Sequence, residues 1–572
     1  MITRFIDATL GSDSNDGTHP NKAWLTFTNL IAGATLLKGG EKWRETLTVP
    51  ADSCTIGQYG GSNLPAPEIS GADLLTTPAY RWIESGNGTN EWYVELAAGG
   101  DPSLTEPKRI YMDNTLLVVG TIGTLEDHEW GWGTSGGETA FSTVFMRDNS
   151  GDPDTSGVVV DAAQRASCIK STDNSDITLD GIITERANSG LTDGCISFVS
   201  ATNDNSDITI RNCEAREGWR AGIHFGYTGS GAIINALVNN CDVHDNGGNG
   251  VVCGTLWENF ILEYCRLYNN CKRPFASLSW LAGARIVKGA SARSTGTIFR
   301  YNESYDNGIP GREDDNGHGL WIDAPGDDAH MYGNICYGNQ ETGLYFEWGS
   351  TNTDHSVYSN ISHNNGRGGI LVSRRTHGVL VHNNTCYENG PPFGDIMVIG
   401  EAGGDPEGMV DNIVRNNICW SAATLTLSAA KGGENDVTNG SGNRYENNIT
   451  GSEHTNFMRL GESNYSTLAS WEAAINANEA GSSSNNTTGD PLFENAAGAN
   501  FGLKPTSPAI DTGVDVGLDR DYAGTKVPQG RAPDIGAIER KVRKPGAGGM
   551  TGSRSRKFRE ESLIPPLIVE AP

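Results

Sequence analysis

The chain has 572 residues, 74 of them glycine, and Asp plus Glu outnumber Lys plus Arg by 70 to 42, a formal net charge of −28. A surface that negative repels nucleic acid and anionic membranes, and no apolar run of about 18 residues offers a membrane span. Neutral glycans, or acidic ones bridged by a metal, are left as ligands. The eleven cysteines are odd in number and lack CxxC spacing, which argues against zinc and against a complete disulfide framework, and for small buried side chains.

In chain order, residues 1–75 read as an N-terminal cap and first coils. Their opening, "MITRFIDATLGSDSNDG", lacks the apolar core of a secretory signal. The segment Thr26–Leu37 carries apolar residues at roughly helical spacing and predicts a lid across the first coil. Residues 76–160 read as an irregular insertion or early coils, and 161–455 as regular coils. Residues 456–540 close the far end. Residues 541–572 change character: seven basic residues precede the apolar "LIPPLIVEAP", so this tail is either disordered or a docking peptide for a partner.

The regular part repeats. "YNESYDNG", "GNICYGNQ", "SNISHNNG", "NNTCYENG" and "NNICWSAA" place an asparagine at Asn302, Asn334, Asn360, Asn384 and Asn417, at steps of 32, 26, 24 and 33. Such steps suit a solenoid. Less regular copies start at Asn212 and Asn240, and another follows at Asn448. Two residues after each asparagine of the regular set stands Ser304, Cys336, Ser362, Cys386 or Cys419, the small residue that a crowded inward position selects. Between these segments, "GIHFG", "GVVCG", "GLWID", "GLYFE" and "GGILVS" are too short for helices and lie between turn residues. The fold class is therefore all-β, a right-handed parallel β-helix solenoid with an N-terminal cap and a C-terminal closing segment. Its coils would rise about 4.8 Å each.

The sequence resembles the pectate-lyase-like β-helix proteins over roughly residues 3–540. The resemblance lies in "FIDATLGSDSNDGTHPNKAWLTFTNLI" at one end and "TGDPLFENAAGANFGLKPTSPAIDTG" with "APDIGAIE" at the other. It implies the solenoid and a polysaccharide ligand, and the family includes tailspike-like members of phages, which are commonly trimers. Extracellular or virion-associated placement follows from the same resemblance, with a homotrimer or virion partner reached through residues 541–572.

Stacking brings chemistry together. Asp323 and Glu347 each stand four residues after a glycine and lie one 24-residue repeat apart, so their side chains should share a face. The column is expected to run Lys288, Asp323, Glu347, Ser373 on successive coils, with Arg374, Arg375 and His377 beyond it and His318 at the start of the Asp323 strand. Stacked acids repel when both are ionised, which drives one pKa upward. A lysine, a cation or a retained proton would offset that. Trp321, Tyr345 and Trp348 flank the column as candidate sugar platforms.

Two chemistries fit. In elimination from a uronic acid, Lys288 or His318 takes the proton while Asp323 and Glu347 hold calcium, with Asp314 and Asp315 as further candidate ligands. In hydrolysis, Asp323 and Glu347 are the acid and the nucleophile or base, and one-coil stacking favours retention. Arg374 is a further candidate at the catalytic column, and no organic cofactor is expected. The non-enzymatic alternative is an appendage that binds surface glycan. The plainest reading is a solvent-facing ladder of ion pairs.

Overall fold

The computed structural model describes residues 3–541 and 568–569, apart from 62, 97–105, 134–142, 191–192, 255, 274–279, 288–293, 313–315, 350–353, 401–407, 423, 431–439 and 478–480. Among the described residues, three long sheets of 15, 13 and 13 strands run the length of the chain, and nearly every pairing in them is parallel between one coil and the next. One coil shows the pattern. Asp327–Tyr332 belongs to the first sheet, Ile335–Tyr337 to the second and Thr342–Glu347 to the third, and each pairs with its counterpart in the coils on either side.

Alternation decides which side chains fill the interior. On the third sheet Leu320, Ile322, Leu344, Phe346, Ile370, Val372, Ile396 and Val398 point inward and join a single core that runs from Ile6 to Ile475. The expected small-residue column is present, with Ser304, Cys336, Ser362, Cys386 and Cys419 in consecutive register and fully buried. All eleven cysteines are free and buried.

The asparagines form the turn between the first and second sheets. Asn302 Nδ2 donates to Asn334 Oδ1 at 3.0 Å, and the same bond links Asn334 to Asn360, Asn360 to Asn384, Asn384 to Asn417 and Asn417 to Asn448. Each acceptor oxygen also takes the backbone N–H of the preceding rung, so buried polar atoms are met in a continuous line. A second ladder five residues on runs Asn307, Asn339, Asn365, Asn389 and ends on the Asp395 carboxylate. The residue before each rung of the first ladder is left-handed, from Tyr301 at φ 57° to Asn447 at φ 55°. Asn212 and Asn240 fall at that left-handed position, one residue before the rung expected for them. The rungs there are Cys213 and Cys241, in register with Cys265 and then Asn302.

The ends differ from a simple stack. Thr26–Leu37 is not a helix across the first coil: a short turn at Phe27–Asn29 leads into the strand Gly33–Lys38, which pairs with Thr3–Ile6 and Cys54–Tyr59. The β-rich segment outweighs the spacing because Leu36 and Leu37 alternate faces in a parallel sheet. Between Ala72 and Ala163 two small, largely antiparallel sheets enclose a separate apolar cluster around Trp82, Trp130 and Met146. At the far end the helix Leu468–Asn476 buries Leu468, Trp471 and Ile475 over the last coils. Of the tail, Ile568–Val569 runs parallel to Gln58–Tyr59 of the same chain. Among the described residues no helix is long and apolar enough to cross a membrane.

Candidate active site

The site lies on the outward face of the third sheet, where Asn316–Asp323, Thr342–Glu347 and Gly368–Ser373 are neighbouring strands. Register pairs Asp323 with Glu347 and Glu347 with Ser373, as the repeat arithmetic predicts. The "GLW" and "GLY" openings have a steric cause. A Cβ at Gly319 would collide with the Gly343 carbonyl, so this corner admits glycine and delivers the following residues to the outer face.

The lower end of the column departs from expectation. Val287, not Lys288, is opposite Asp323. Lys288 itself lies outside the described residues, as do Asp314 and Asp315. The cation that meets Asp323 is Arg285, which pairs with Trp321 in register and reaches across so that its Nη2 lies 2.5 Å from Asp323 Oδ2. The one-residue error has a simple origin. Gly283 is level with Gly319, and four residues after it stands Val287, so Lys288 is one residue too far along to join the column. Alternation along "ARIVK" puts Arg285 and Val287 on one face and is the signal that identifies the arginine.

Glu347 is 1% exposed. Trp321 Nε1 donates to its Oε2 at 3.1 Å. Arg374 Nε stands 2.7 Å from Oε1, but the N–H is not aimed at the oxygen, and Oε1 has no hydrogen-bond donor. Burial, and then the charge of Asp323, push the Glu347 carboxyl up to about 7, with Arg374 pulling the other way. The two acids thus occupy unlike surroundings.

The aromatic residues build the wall. Trp321 and Tyr345 stack on each other with centroids 4.7 Å apart and an interplanar angle of 19°, and the Arg285 guanidinium lies 4.2 Å from the Trp321 ring centroid. The faces expected as sugar platforms are therefore taken by neighbouring groups, and what Trp321 offers the site is its N–H. Tyr345 shares a 3.0 Å hydrogen bond with Ser373. His318 is 3% exposed, with Nδ1 2.7 Å from Thr342 Oγ1 and its ring against Trp321 and Tyr345. Burial depresses its pKa to about 3, so it is neutral, while Nε2 has no partner. At the rim, half-buried Trp348 has the guanidinium groups of Arg374 and Arg375 at 5.9 and 5.5 Å from its ring centroid. His377 lies past this corner, where its backbone bridges Val410.

The donor set does not suit a calcium ion at the carboxylate pair. That ion takes six to eight oxygens, whereas Asp323 and Glu347 each face an arginine, and among the described residues no group of three or more His, Cys, Asp or Glu gathers.

Comparison with known proteins agrees with the architecture. Residues 197–386 match the family described as right handed beta helix region. Lacto-N-biosidase of Bifidobacterium longum subsp. longum is 23% identical over 628 aligned residues, covering 94% of this chain. The chain spans 36% of that protein's length. A solved structure of XylC in complex with xylose is similar with a TM-score of 0.56 at 14% identity, covering 94% of this chain and 99% of the other. The stacked sheets, the family match and this structural likeness together identify the fold as a right-handed parallel β-helix.

Proposed function

We propose that the protein is a glycoside hydrolase in which Glu347 is the proton donor and Asp323 the nucleophile. The observation that carries this reading is the asymmetry of two stacked carboxyl groups. Asp323 is paired with the Arg285 guanidinium, whereas Glu347 is buried, has an undonated oxygen and keeps its proton near neutral pH. Unlike surroundings of this kind divide acid from nucleophile.

In the first step Glu347 gives its proton to the glycosidic oxygen, the bond to the anomeric carbon breaks, and Asp323 forms an ester to that carbon. In the second, Glu347 takes a proton from water, the water oxygen attacks the anomeric carbon, and Asp323 leaves as a carboxylate. Strands about 4.8 Å apart keep the two carboxyls close, which favours retention of configuration. Trp321 Nε1 fixes the Glu347 carboxyl. A carbohydrate substrate is supported by the relatives, one a lacto-N-biosidase and the other solved with xylose. The arginines beside both acids favour hydrolysis over elimination assisted by calcium.

Incubation with neutral and acidic oligosaccharides tests the proposal. Reducing ends should be released without the ultraviolet absorbance of an unsaturated product, and chelator should leave the rate unchanged. Asp323→Asn and Glu347→Gln should each lower turnover by about two to four orders of magnitude. Unsaturated product, or two variants with normal turnover, would refute it.

A further inference from the structure

Among the described residues of the regular coils, Trp280 is the one large apolar side chain left exposed, at 50%. A single exposed side chain of this kind needs no explanation by itself. Its backbone does need one, because φ is 78°, in the left-handed region where a bulky residue is an outlier. The other left-handed aromatic residues of the coils belong to corners that recur. Tyr264 and Tyr301 each precede the rung position of the first ladder, and Trp348 follows Glu347 as Ala324 follows Asp323 and Arg374 follows Ser373. Trp280 belongs to neither row, and strain of this kind collects at ligand clamps.

Its place ties it to the acids. Trp280 directly precedes the strand Leu281–Val287, one coil below Asp323. Its carbonyl accepts from Arg285 Nη1 at 2.9 Å, while Nη2 of the same guanidinium lies 2.5 Å from Asp323 Oδ2. One planar fork thus holds the tryptophan and the carboxylate in a common frame. The guanidinium carbon is 6.0 Å from the Trp280 ring centroid. Trp321 and Tyr345, the rings beside the acids by register, are 3% and 8% exposed and stack on each other, so their faces are closed to a ligand.

We propose that Trp280 is the platform on which an uncharged pyranose ring stacks, in the sugar unit next to the bond that is cut. A pyranose turns a patch of C–H bonds toward an indole face, and that contact draws on apolar area rather than on charge. Arg285, the cation beside the ring, already gives its two terminal nitrogens to Asp323 and to the Trp280 carbonyl, so this position selects a bare ring face over a carboxylate. Assigning the stacked ring to a substrate rests on the hydrolase reading above.

Calorimetric titration with lactose, xylobiose and digalacturonate tests the platform on the full chain carrying Asp323→Asn and Glu347→Gln, so that no sugar is consumed. At least one neutral disaccharide should bind about tenfold tighter than digalacturonate, and Trp280→Gly should weaken it about tenfold while Trp280→Tyr keeps most of the affinity. Trp280→Gly should melt no lower than its parent, since glycine takes a φ of 78° without strain, so lost binding cannot be ascribed to unfolding. With the acids intact, Trp280→Gly should raise KM about tenfold on a cleaved neutral oligosaccharide and leave kcat nearly unchanged. Binding of neither neutral disaccharide, digalacturonate bound as tightly as both, or affinity indifferent to Trp280→Gly overturns the proposal. Cleavage with KM unmoved in Trp280→Gly removes the platform and leaves the hydrolase. If the parent cleaves no glycoside yet disaccharide binding still depends on Trp280, the hydrolase reading fails and the platform stands.

Discussion

Glu347 and Asp323 show how a few neighbours give two identical functional groups different work. Glu347 lies opposite an anion and is buried, so its carboxyl is pushed up to about 7. In the free enzyme the acid-competent fraction falls as pH rises through that value. The rate constant kcat/KM should therefore decline about tenfold per pH unit on the alkaline side, and Glu347→Gln should abolish that limb along with most activity. A pH–rate profile checks this, and an alkaline limb that survives in the glutamine variant would assign the proton elsewhere. Arg285 acts on the partner. Arg285→Met leaves Asp323 without its cation while keeping the side-chain volume against Trp321, and should lower kcat about a hundredfold with little change in KM. Steady-state kinetics decide, and a change confined to KM would make Arg285 a binding residue.

At the scale of the strand and the turn, the ladders explain what was legible in the sequence. Asn302, Asn334, Asn360, Asn384 and Asn417 are visible because each rung needs an amide that both donates and accepts, which leaves the same residue at every coil. The pairing of Asp323 with Glu347 was legible for a related reason, since each acid stands four residues after a glycine, Gly319 or Gly343. Arg285 is level with Trp321, not with Asp323, and reaches the acid only through the length of its side chain, which a column of register partners does not show; Cys213, Cys241 and Cys265 stand in for asparagine where the early coils drop the amide. The second ladder ends on a charged residue, and that end makes a prediction. Asp395 accepts from Asn389 and Ser421, yet full burial pushes its carboxyl up to about 7. A folded pKa above the unfolded value of about 3.9 means that the native state holds the proton more tightly. The resulting stabilisation is complete below about pH 4 and is lost as pH rises through about 7. Asp395→Asn offers Asn389 the same acceptor without the titration. Its melting temperature should exceed that of the parent at pH 8 and vary less between pH 5 and pH 8. Parallel melts that keep the parent's pH dependence would place the titration on another group.

For the whole molecule the question is whether so long a stack opens as one body. Coils of a solenoid touch only their neighbours, which permits fraying from an end. Here, however, one apolar core extends from Ile6 to Ile475, and the asparagine line is unbroken from Asn302 to Asn486. The cysteines report on both regions, from Cys54 near the cap to Cys419 near the closing segment, and none is more than 3% exposed. Burial raises the thiols of Cys168, Cys213, Cys241, Cys386 and Cys419 far above their ordinary value, which removes the thiolate that reacts. Native protein should therefore leave a thiol reagent unconsumed, and denatured protein should consume eleven equivalents. Pulsed alkylation through the denaturation transition, read by mass, should give chains labelled either nowhere or throughout. A population alkylated at Cys386 and Cys419 but protected at Cys54 and Cys168 would show that the distal coils unravel first and that the continuous core does not bind the stack into a single cooperative unit.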